Sequence, residues 1–370
     1  MKRTVWLAAL ALTVLFLTAG CGTLMEESVV RGGVGELLPG VTSNGMQETT
    51  DEEGHGRRLY SFTYEGVTFT LDNYQYRESL FGTTAAATSN TYAKALYEAY
   101  AEELQAIAER NRVEIACDSD TAIMIRNEPS RFSELSRGVE VLEEVCGLLD
   151  AYLPEETLDW FRFSVSLRTS CGKTFTTDVT RRGEADFAYE SDLLRLNFAD
   201  LIRRGEVTEL SCTQEELDAV PVKTIETLCI NGKQFVSDRY ETRFVYNLRA
   251  QRYDTVVCFG TKLDYNGGVE DYLQREILET YYPDCAYTIE EHATTYRIGE
   301  DLYRVERGED GLSFFCSGEK LSIEANSEID RQHAGASYYY WISLDDFALL
   351  MGMRVERVTD QAVFLAVEKQ

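Results

Sequence analysis

The sequence predicts an α+β protein in which antiparallel hairpins pack with a few helices. Apolar residues alternate on both sides of Glu65-Gly66 between Arg58 and Leu71, which is typical of a hairpin with a glycine turn. The Asn231-Gly232 pair between two apolar runs indicates a second hairpin with a type I′ turn. Between them, apolar residues at helical spacing from Val139 to Leu153 predict a helix.

The composition supports folded domains and disfavours a nucleic-acid partner. The chain has 370 residues, which leaves room for two or three domains, and it is 44% hydrophobic and 11% aromatic. Its formal net charge is -27. Because Lys and Arg bind phosphates, so large an acidic excess argues against nucleic acid and against anionic lipid surfaces as partners.

The first 21 residues have the pattern of a secretory signal. Lys2 and Arg3 precede an uncharged apolar stretch from Val5 to Leu17, which is shorter than the roughly 20 residues of a comfortable bilayer span. The run Leu17-Thr18-Ala19-Gly20-Cys21 then resembles the bacterial lipobox, although the usual branched apolar residue three places before the cysteine is Thr18 here.

The lipobox resemblance implies cleavage after Gly20 and diacylation of Cys21, which becomes the mature N-terminus. Two acyl chains hold a protein stably on a membrane. We therefore expect a lipoprotein on the extracytoplasmic face of the cell membrane. The alternatives are an ordinary cleaved signal and an uncleaved membrane helix.

The segment after the signal is predicted to be a tether. Residues 21–58 contain several glycines and a polar, acidic stretch from Thr49 to Glu53, with no helical or strand periodicity. So low an apolar density predicts disorder. The expected domains are a signal peptide at 1–20, a disordered tether at 21–58 that lifts the folded part off the membrane, a central α+β region at 59–304 and a final domain at 305–370.

The central region is predicted to contain, in order, a helix at 93–107 capped by Asn90, strands at 113–117 and 122–125, the helix already described, and a strand from Trp160 to Arg168. A helix, a Tyr-x-Pro sequence, a strand and a glycine turn occur in that order at 139–180 and again at 268–305. This order indicates two related units, at about 59–215 and 216–304, although chance can also produce it.

The last 60 residues contain a short capped helix. Ser343 is a suitable N-cap, and Gly352 is placed to end the helix. The run Ile342–Arg357 resembles the helix of the copper amine oxidase N-terminal-like, or stalk, domain, but it lacks that family's Pro, Arg and Trp at Ser343, Asp345 and Arg357. The matching positions are Leu344, Ala348, Leu350, Gly352 and Val355. The resemblance implies a small α+β spacer or binding domain at 305–370, without a copper site.

Eight further cysteines are widely spaced, and none lies within four residues of another. This spacing matches neither a zinc knuckle nor a thioredoxin-like motif. An even count in an exported chain is compatible with disulfides. Apolar surroundings such as those of Cys258 favour buried free thiols instead. Both interpretations remain open at this point.

No residue pattern predicts a catalytic, cofactor or metal site. The histidines His55, His292 and His333 are far apart. Carboxylate pairs could serve acid–base chemistry, but in so acidic a chain they are more typical of a solvated surface. These pairs are Glu143-Glu144, Glu155-Glu156 and Glu290-Glu291.

The aromatic run Tyr338-Tyr339-Tyr340-Trp341 offers two interpretations, a ligand-contacting surface for sugars or peptides and ordinary core packing. Together these patterns favour a non-enzymatic binding or scaffold module of the cell envelope, with an unknown envelope protein or glycan as its partner. One alternative is a carboxylate-based envelope hydrolase acting on glycans. Another is an accessory protein that helps a second exported protein to fold or assemble.

Overall fold

A computed structural model describes residues 23–77, 84–237, 242–257, 273–290, 293–308, 311–324 and 340–368. Within these ranges the chain is α+β, as predicted, with mostly antiparallel sheets and eight α-helices. The chain forms two compact units, Met1–Glu216 and Leu217–Gln370.

The helices of the first unit are short to medium in length. They are α1 (Glu27–Leu37), α2 (Tyr92–Ala99), α3 (Ala101–Asn111), α4 (Leu135–Leu148) and α5 (Phe187–Arg203), followed by α6 (Gln214–Asp218), which crosses the division between the units.

The first sheet of this unit is an antiparallel meander. Its strands follow the order β1 (Thr42–Thr50), β2 (Gly56–Tyr64), β3 (Val67–Arg77) and β4 (Thr84–Asn90). Glu65 and Gly66 have φ of 46° and 83° at the turn between β2 and β3. Both central residues of a type I′ turn need positive φ, so the predicted hairpin is confirmed.

The second sheet contains a parallel pair. It is formed by β5 (Glu114–Ser119), β6 (Ala122–Asn127), β7 (Ser164–Ser170) and β8 (Thr174–Val179). Strands β6 and β7 are parallel and joined through α4, which packs on both. A parallel pair needs such a crossover connection. Helix α2 packs on β3 as well as on β5 and β6, and so links the two sheets.

The predicted strand at 160–168 begins later than expected. Phe161, Phe163, Val165 and Leu167 are all buried, as the alternation predicted. However, Phe161 donates its backbone N–H to Leu158 in a tight turn, 2.9 Å, so ladder pairing starts only at Ser164.

The expected tether is wrong from Glu27 onward, because the segment folds into α1 and β1. Val30, Val34 and Leu37 follow helical spacing and are buried, together with Leu38. Burial of these four side chains offsets the backbone entropy of the surrounding glycines. The glycine content concealed a helical stripe that was present in the sequence.

The predicted helix at 93–107 is two helices. Tyr100 separates α2 from α3 with φ of −110° and ψ of 23°, outside the helical region. Asn90 is not the N-cap residue, which is Thr91; it lies one position earlier, where its side-chain oxygen accepts the backbone N–H of Tyr92 at 3.0 Å.

In its described residues, the second unit contains three sheets and two further helices. Its helices are α7 (Leu273–Tyr281) and α8 (Leu344–Leu350). The first sheet has the order β19 (Tyr340–Ser343), β13 (Arg252–Val257), β12 (Phe244–Asn247), β9 (Thr224–Ile225). The second has the order β11 (Lys233–Phe235), β10 (Thr227–Ile230), β21 (Ala362–Val367), β20 (Met353–Val358). The third consists of β14 (Tyr287–Ile289), β15 (Ala293–Ile298), β16 (Asp301–Gly308), β17 (Gly311–Cys316) and β18 (Glu319–Lys320).

The expected boundary at 304/305 is wrong, since it falls inside β16. Strand β21 pairs in parallel with β10, and β19 pairs with β13, so the final elements share sheets with strands more than 80 residues earlier. The last elements bury their apolar faces against these early strands and therefore do not form a domain of their own.

The proposed duplication is not supported by the topology. The single strand predicted within 268–305 is instead two antiparallel strands, β14 and β15. Strand β15 has antiparallel neighbours on both sides, whereas β7 has the parallel neighbour β6. The two stretches share a succession of elements and not a sheet arrangement.

Helix α8 begins and ends as predicted. The Ser343 hydroxyl accepts the backbone N–H of Asp346 at 3.0 Å, and Gly352 has φ of 62°. At the helix end, the Tyr282 hydroxyl lies 2.8 Å from the carbonyl oxygen of Met351, and the Tyr296 hydroxyl donates to that of Leu350 at 2.9 Å. Two tyrosines thus satisfy carbonyls that a helix leaves unpaired.

Candidate functional site

The candidate site is the part of the first unit that follows the predicted lipidation cysteine. Gly20 and Cys21 themselves lie outside the described residues. The described chain starts at Thr23, and Leu24–Glu26, which we call the anchor-proximal segment, docks on the first sheet.

Three hydrogen bonds fix Met25 in the anchor-proximal segment. Its backbone N–H donates to Asn73 Oδ1 at 2.7 Å. Its carbonyl accepts from Arg58 Nη1 at 2.9 Å and from the Tyr60 hydroxyl at 3.3 Å. Tyr60 is fully buried, and this burial raises the pKa of its hydroxyl, which stays a donor.

Asn73 is the central partner, and the sequence analysis missed it. It is 2% exposed, and its amide nitrogen also donates to the Ala87 carbonyl at 3.1 Å, so one side chain joins β3, β4 and residue 25. The signal was present in the sequence. In the alternation of β3, Asn73 falls on the buried face with Phe69 and Leu71, where a polar side chain needs partners.

The anchor-proximal segment lies beside one end of the β1–β2 hairpin. A Cβ built on Gly56 would be 3.1 Å from Leu24 Cδ1, and the Gly56 N–H donates to Gln75 Oε1 at 2.8 Å. The residues Asp51–His55, which join β1 to β2 immediately before Gly56, are called here the hairpin tip.

The hairpin tip is ordered by Asp51. Its Oδ1 accepts the backbone N–H groups of Glu53 and His55 at 2.9 and 2.8 Å, and its Oδ2 lies 3.0 Å from His55 Nδ1. The backbone hydrogen bond from His55 is the main cause that lowers the pKa of the Asp51 carboxyl. The Asp51 carboxylate at the tip is therefore ionised at neutral pH.

Helix α1 continues from the anchor-proximal segment and packs through a glycine. A Cβ at Gly33 would lie 2.5 Å from Trp160 Cζ2 and 2.8 Å from Leu158 Cδ1. These distances are too short for real side-chain contacts, so glycine at 33 allows the helix to approach the loop before β7. The close packing at Gly33 therefore attaches the predicted tether region to the fold.

The aromatic candidates near the C-terminus are only partly described. Tyr338 and Tyr339 lie outside the described residues, and Tyr340 is described only as a strand residue paired with Val257. Trp341 is 6% exposed and packs with Val245 and Val256, so its ring belongs to a core cluster.

A tyrosine cluster in the first unit escaped the sequence analysis. The Tyr100 hydroxyl donates to the Tyr152 hydroxyl at 2.9 Å, and Tyr152 donates to the Glu65 carbonyl at 3.3 Å. Tyr92 donates to the Tyr152 carbonyl at 2.9 Å. The hydrogen bond between the Tyr100 and Tyr152 hydroxyls is the largest cause that raises the pKa of Tyr152 to about 12, so the Tyr152 hydroxyl is neutral at pH 7 and connects the β2–β3 turn to the helices.

The predicted carboxylate pairs lie on the surface. Glu144 forms an ion pair with Arg110, and Glu290 forms one with Arg304 at 3.4 Å. Glu143, Glu155 and Glu156 are exposed, and Glu291 lies outside the described residues. These positions match the solvated-surface interpretation.

One carboxylate of the second unit is fully buried, and the sequence did not single it out. Asp254 accepts from Asn247 Nδ2 at 2.8 Å and from Arg252 Nε at 2.9 Å. Asn247 Oδ1 in turn accepts the backbone N–H groups of Arg249 and Ala250 at 3.1 Å each. Because both Asp254 oxygens have donors, the group stabilises the β12–β13 turn.

The seven cysteines in the described part of the chain are free thiols, while Cys21 and Cys258 fall outside it. Burial raises the pKa of Cys146 to about 12 and raises that of Cys171. The thiolate is the reactive form, so these side chains are inert at neutral pH.

His55 is bound to Asp51, whereas His292 and His333 lie outside the described residues. Across the described ranges, no group of three or more His, Cys, Asp or Glu side chains is placed to hold a metal ion. Nor does any helix in the same ranges have the length and apolar character needed to cross a membrane.

Comparison with known proteins gave no match: no family model, no curated protein and no solved structure is similar to this chain.

Proposed function

We propose that this chain is a lipid-anchored extracytoplasmic protein that acts as a non-enzymatic binding or scaffold module of the cell envelope. The observation that carries the proposal is the lipobox-like run ending at Cys21, because diacylation of that thiol would attach the whole protein to the outer face of the cell membrane.

The second part of the proposal, a binding or scaffold role, is supported by the chemistry of the described side chains. Two described groups of a kind that enzymes use are occupied by the fold: Asp254 closes a turn, and Cys146 is buried with a raised pKa.

Metabolic labelling with radioactive fatty acid tests the anchor. The parent protein should incorporate label and sediment with membranes, and the Cys21→Ala variant should lose both properties. Cys212→Ala is the matched control, since it removes a thiol elsewhere and should keep the label. Equal membrane partitioning of the Cys21→Ala variant and the parent would contradict the anchor.

Affinity capture tests the binding role. The chain from Gly22 onward, immobilised on beads, is mixed with solubilised envelope protein and with isolated envelope glycan. We expect one partner of either class to be retained by the folded protein and lost when the protein is unfolded in urea. Turnover of the glycan without retention would instead favour the hydrolase alternative.

A further inference from the structure

We propose that the first unit is held directly against the membrane surface, with the hairpin tip (Asp51–His55) at the lipid headgroup layer. This inference rests on the lipid anchor at Cys21 proposed above and goes beyond it, because it names the part of the fold that meets the bilayer. It replaces the expected long tether with a link of two residues between Cys21 and Thr23.

The distance from the anchor is set by covalent geometry. Thr23 is two residues after Cys21, and an extended chain spans at most about 3.3–3.6 Å per residue, so the two Cα atoms lie within about 7 Å of each other. The headgroup layer on each side of a bilayer is itself only about 5–7 Å thick. Thr23 of an acylated protein therefore stays at the headgroups or just outside them.

After Thr23, the chain is bound to the first unit and contains no flexible segment before α1. Met25 is held by the three hydrogen bonds to Asn73, Arg58 and Tyr60, and two of these partners are buried. Leu24 covers Gly56, which follows the hairpin tip directly. Lifting the unit away from the bilayer would require these contacts to break, so the hairpin tip stays near the surface.

The charge of the hairpin tip excludes electrostatic attraction as the cause of its proximity to the membrane. Asp51, Glu52 and Glu53 are exposed, and the hydrogen bonds to Asp51 favour its charged form. Carboxylates are repelled by anionic lipid, so electrostatic attraction does not bring the tip to the surface. The short covalent link does, and the proximity should persist on an uncharged, zwitterionic surface.

The test compares the lipidated protein with a lipidated variant that carries about 24 Gly/Ser residues between Gly22 and Thr23, a linker with an r.m.s. length of roughly 27 Å. Both are reconstituted in phosphatidylcholine vesicles and treated with a glutamate-specific protease. Mass spectrometry follows cleavage after Glu52 and Glu53, normalised to cleavage after the exposed Glu184. We expect cleavage at the tip to be about tenfold slower in the parent, because exposed loop tips are preferred protease sites unless a surface shields them.

A second measurement tests the position of the hairpin tip without a protease. Glu53→Trp is introduced with and without the linker in a background that carries Trp160→Phe and Trp341→Phe, so that it is the reporter, and its fluorescence is quenched by a headgroup-labelled nitroxide lipid. Quenching should be strong without the linker and weak with it. Equal cleavage and equal quenching in the two forms, when both sediment with vesicles, would overturn the surface contact alone. Loss of fatty-acid label or of sedimentation in the parent would overturn the anchor as well.

Discussion

Gly33 shows how a single missing side chain can hold a segment in place. Its backbone lies so close to Trp160 and Leu158 that a methyl group would overlap both, yet its neighbour Gly32 has no atom within 4 Å of a built Cβ. Two adjacent glycines in one helix therefore have opposite roles. One allows close packing, and the other only weakens the helix.

Gly33→Ala should therefore destabilise the first unit by about 1–3 kcal/mol through overpacking. Gly32→Ala, the matched control, should stabilise it by about 0.5–1 kcal/mol because alanine loses less backbone entropy in a helix. Urea unfolding followed by Trp160 fluorescence in a Trp341→Phe background measures both changes. Equal effects of the two substitutions would show that α1 does not pack on Trp160.

The tyrosine cluster gives a pH-dependent prediction. The pKa of Tyr152 is raised to about 12, first by the hydrogen bond that its hydroxyl shares with Tyr100 and then by burial. A free tyrosine has a pKa of about 10. A folded-state pKa above the unfolded one means that the stabilisation is complete below pH 10 and is lost as the pH rises towards 12.

Tyr100→Phe should accordingly lower the free energy of unfolding by about 0.5–1.5 kcal/mol at neutral pH. The difference from the parent should shrink between about pH 10 and pH 12, over which the parent loses this stabilisation. Tyr76→Phe, which changes an exposed ring, is the control and should have no effect at either pH. A difference that stays constant up to pH 12 would contradict the role given to Tyr100.

At the scale of elements, the end of α8 depends on a residue far away in the sequence. Tyr282 follows α7, and its hydroxyl lies 2.8 and 2.9 Å from the carbonyl oxygens of Met351 and Gly352. The final carbonyls of a helix have no partner within it. A side chain from another element thus completes a helix whose start is capped locally by Ser343.

Tyr282→Phe should cost about 1–3 kcal/mol, since it leaves buried carbonyls without this donor. Tyr281→Phe is the matched control, because its neighbouring ring packs beside Phe235 and the change is expected within about 0.5 kcal/mol of zero. Peptide-resolved hydrogen exchange over residues 344–352 is the measurement. Faster exchange in Tyr282→Phe alone is expected, and equal exchange in both variants would contradict it.

For the whole molecule, the main difference from expectation lies at the front of the folded part. Four buried apolar side chains in and after α1 make residues 27–38 part of the first core, so the fold starts a few residues after the predicted anchor. A protein acylated at Cys21, as proposed, would consequently have little free chain between its acyl groups and the fold.

Removal of α1 tests this organisation. A chain starting at Gly40 should unfold at a much lower urea concentration in its first unit than a chain starting at Gly22. Each fully buried Val or Leu contributes about 1.5–3 kcal/mol, and the truncation removes four of them. A disordered tether would instead leave the unfolding midpoint unchanged. Trp160 fluorescence in a Trp341→Phe background reports the transition.

The sequence by itself determined the local features of this protein. It gave the positive-φ turns at Glu65-Gly66 and Asn231-Gly232, the Ser343 cap and the buried alternation of Phe161 to Leu167, because each depends on residues only a few positions apart. These local signals were enough to establish the α+β class.

The tertiary structure alone decided the rest. Four features depend on partners that the local sequence pattern does not specify. They are the folding of α1, the hydrogen bond from Met25 to Asn73, the parallel pairing of β10 with β21 and the burial of Asp254. Gly33 shows why the local pattern was not enough. A glycine permits disorder in an isolated chain, and it also permits close packing beside Trp160. Only the partner on the other side of the contact selects between them.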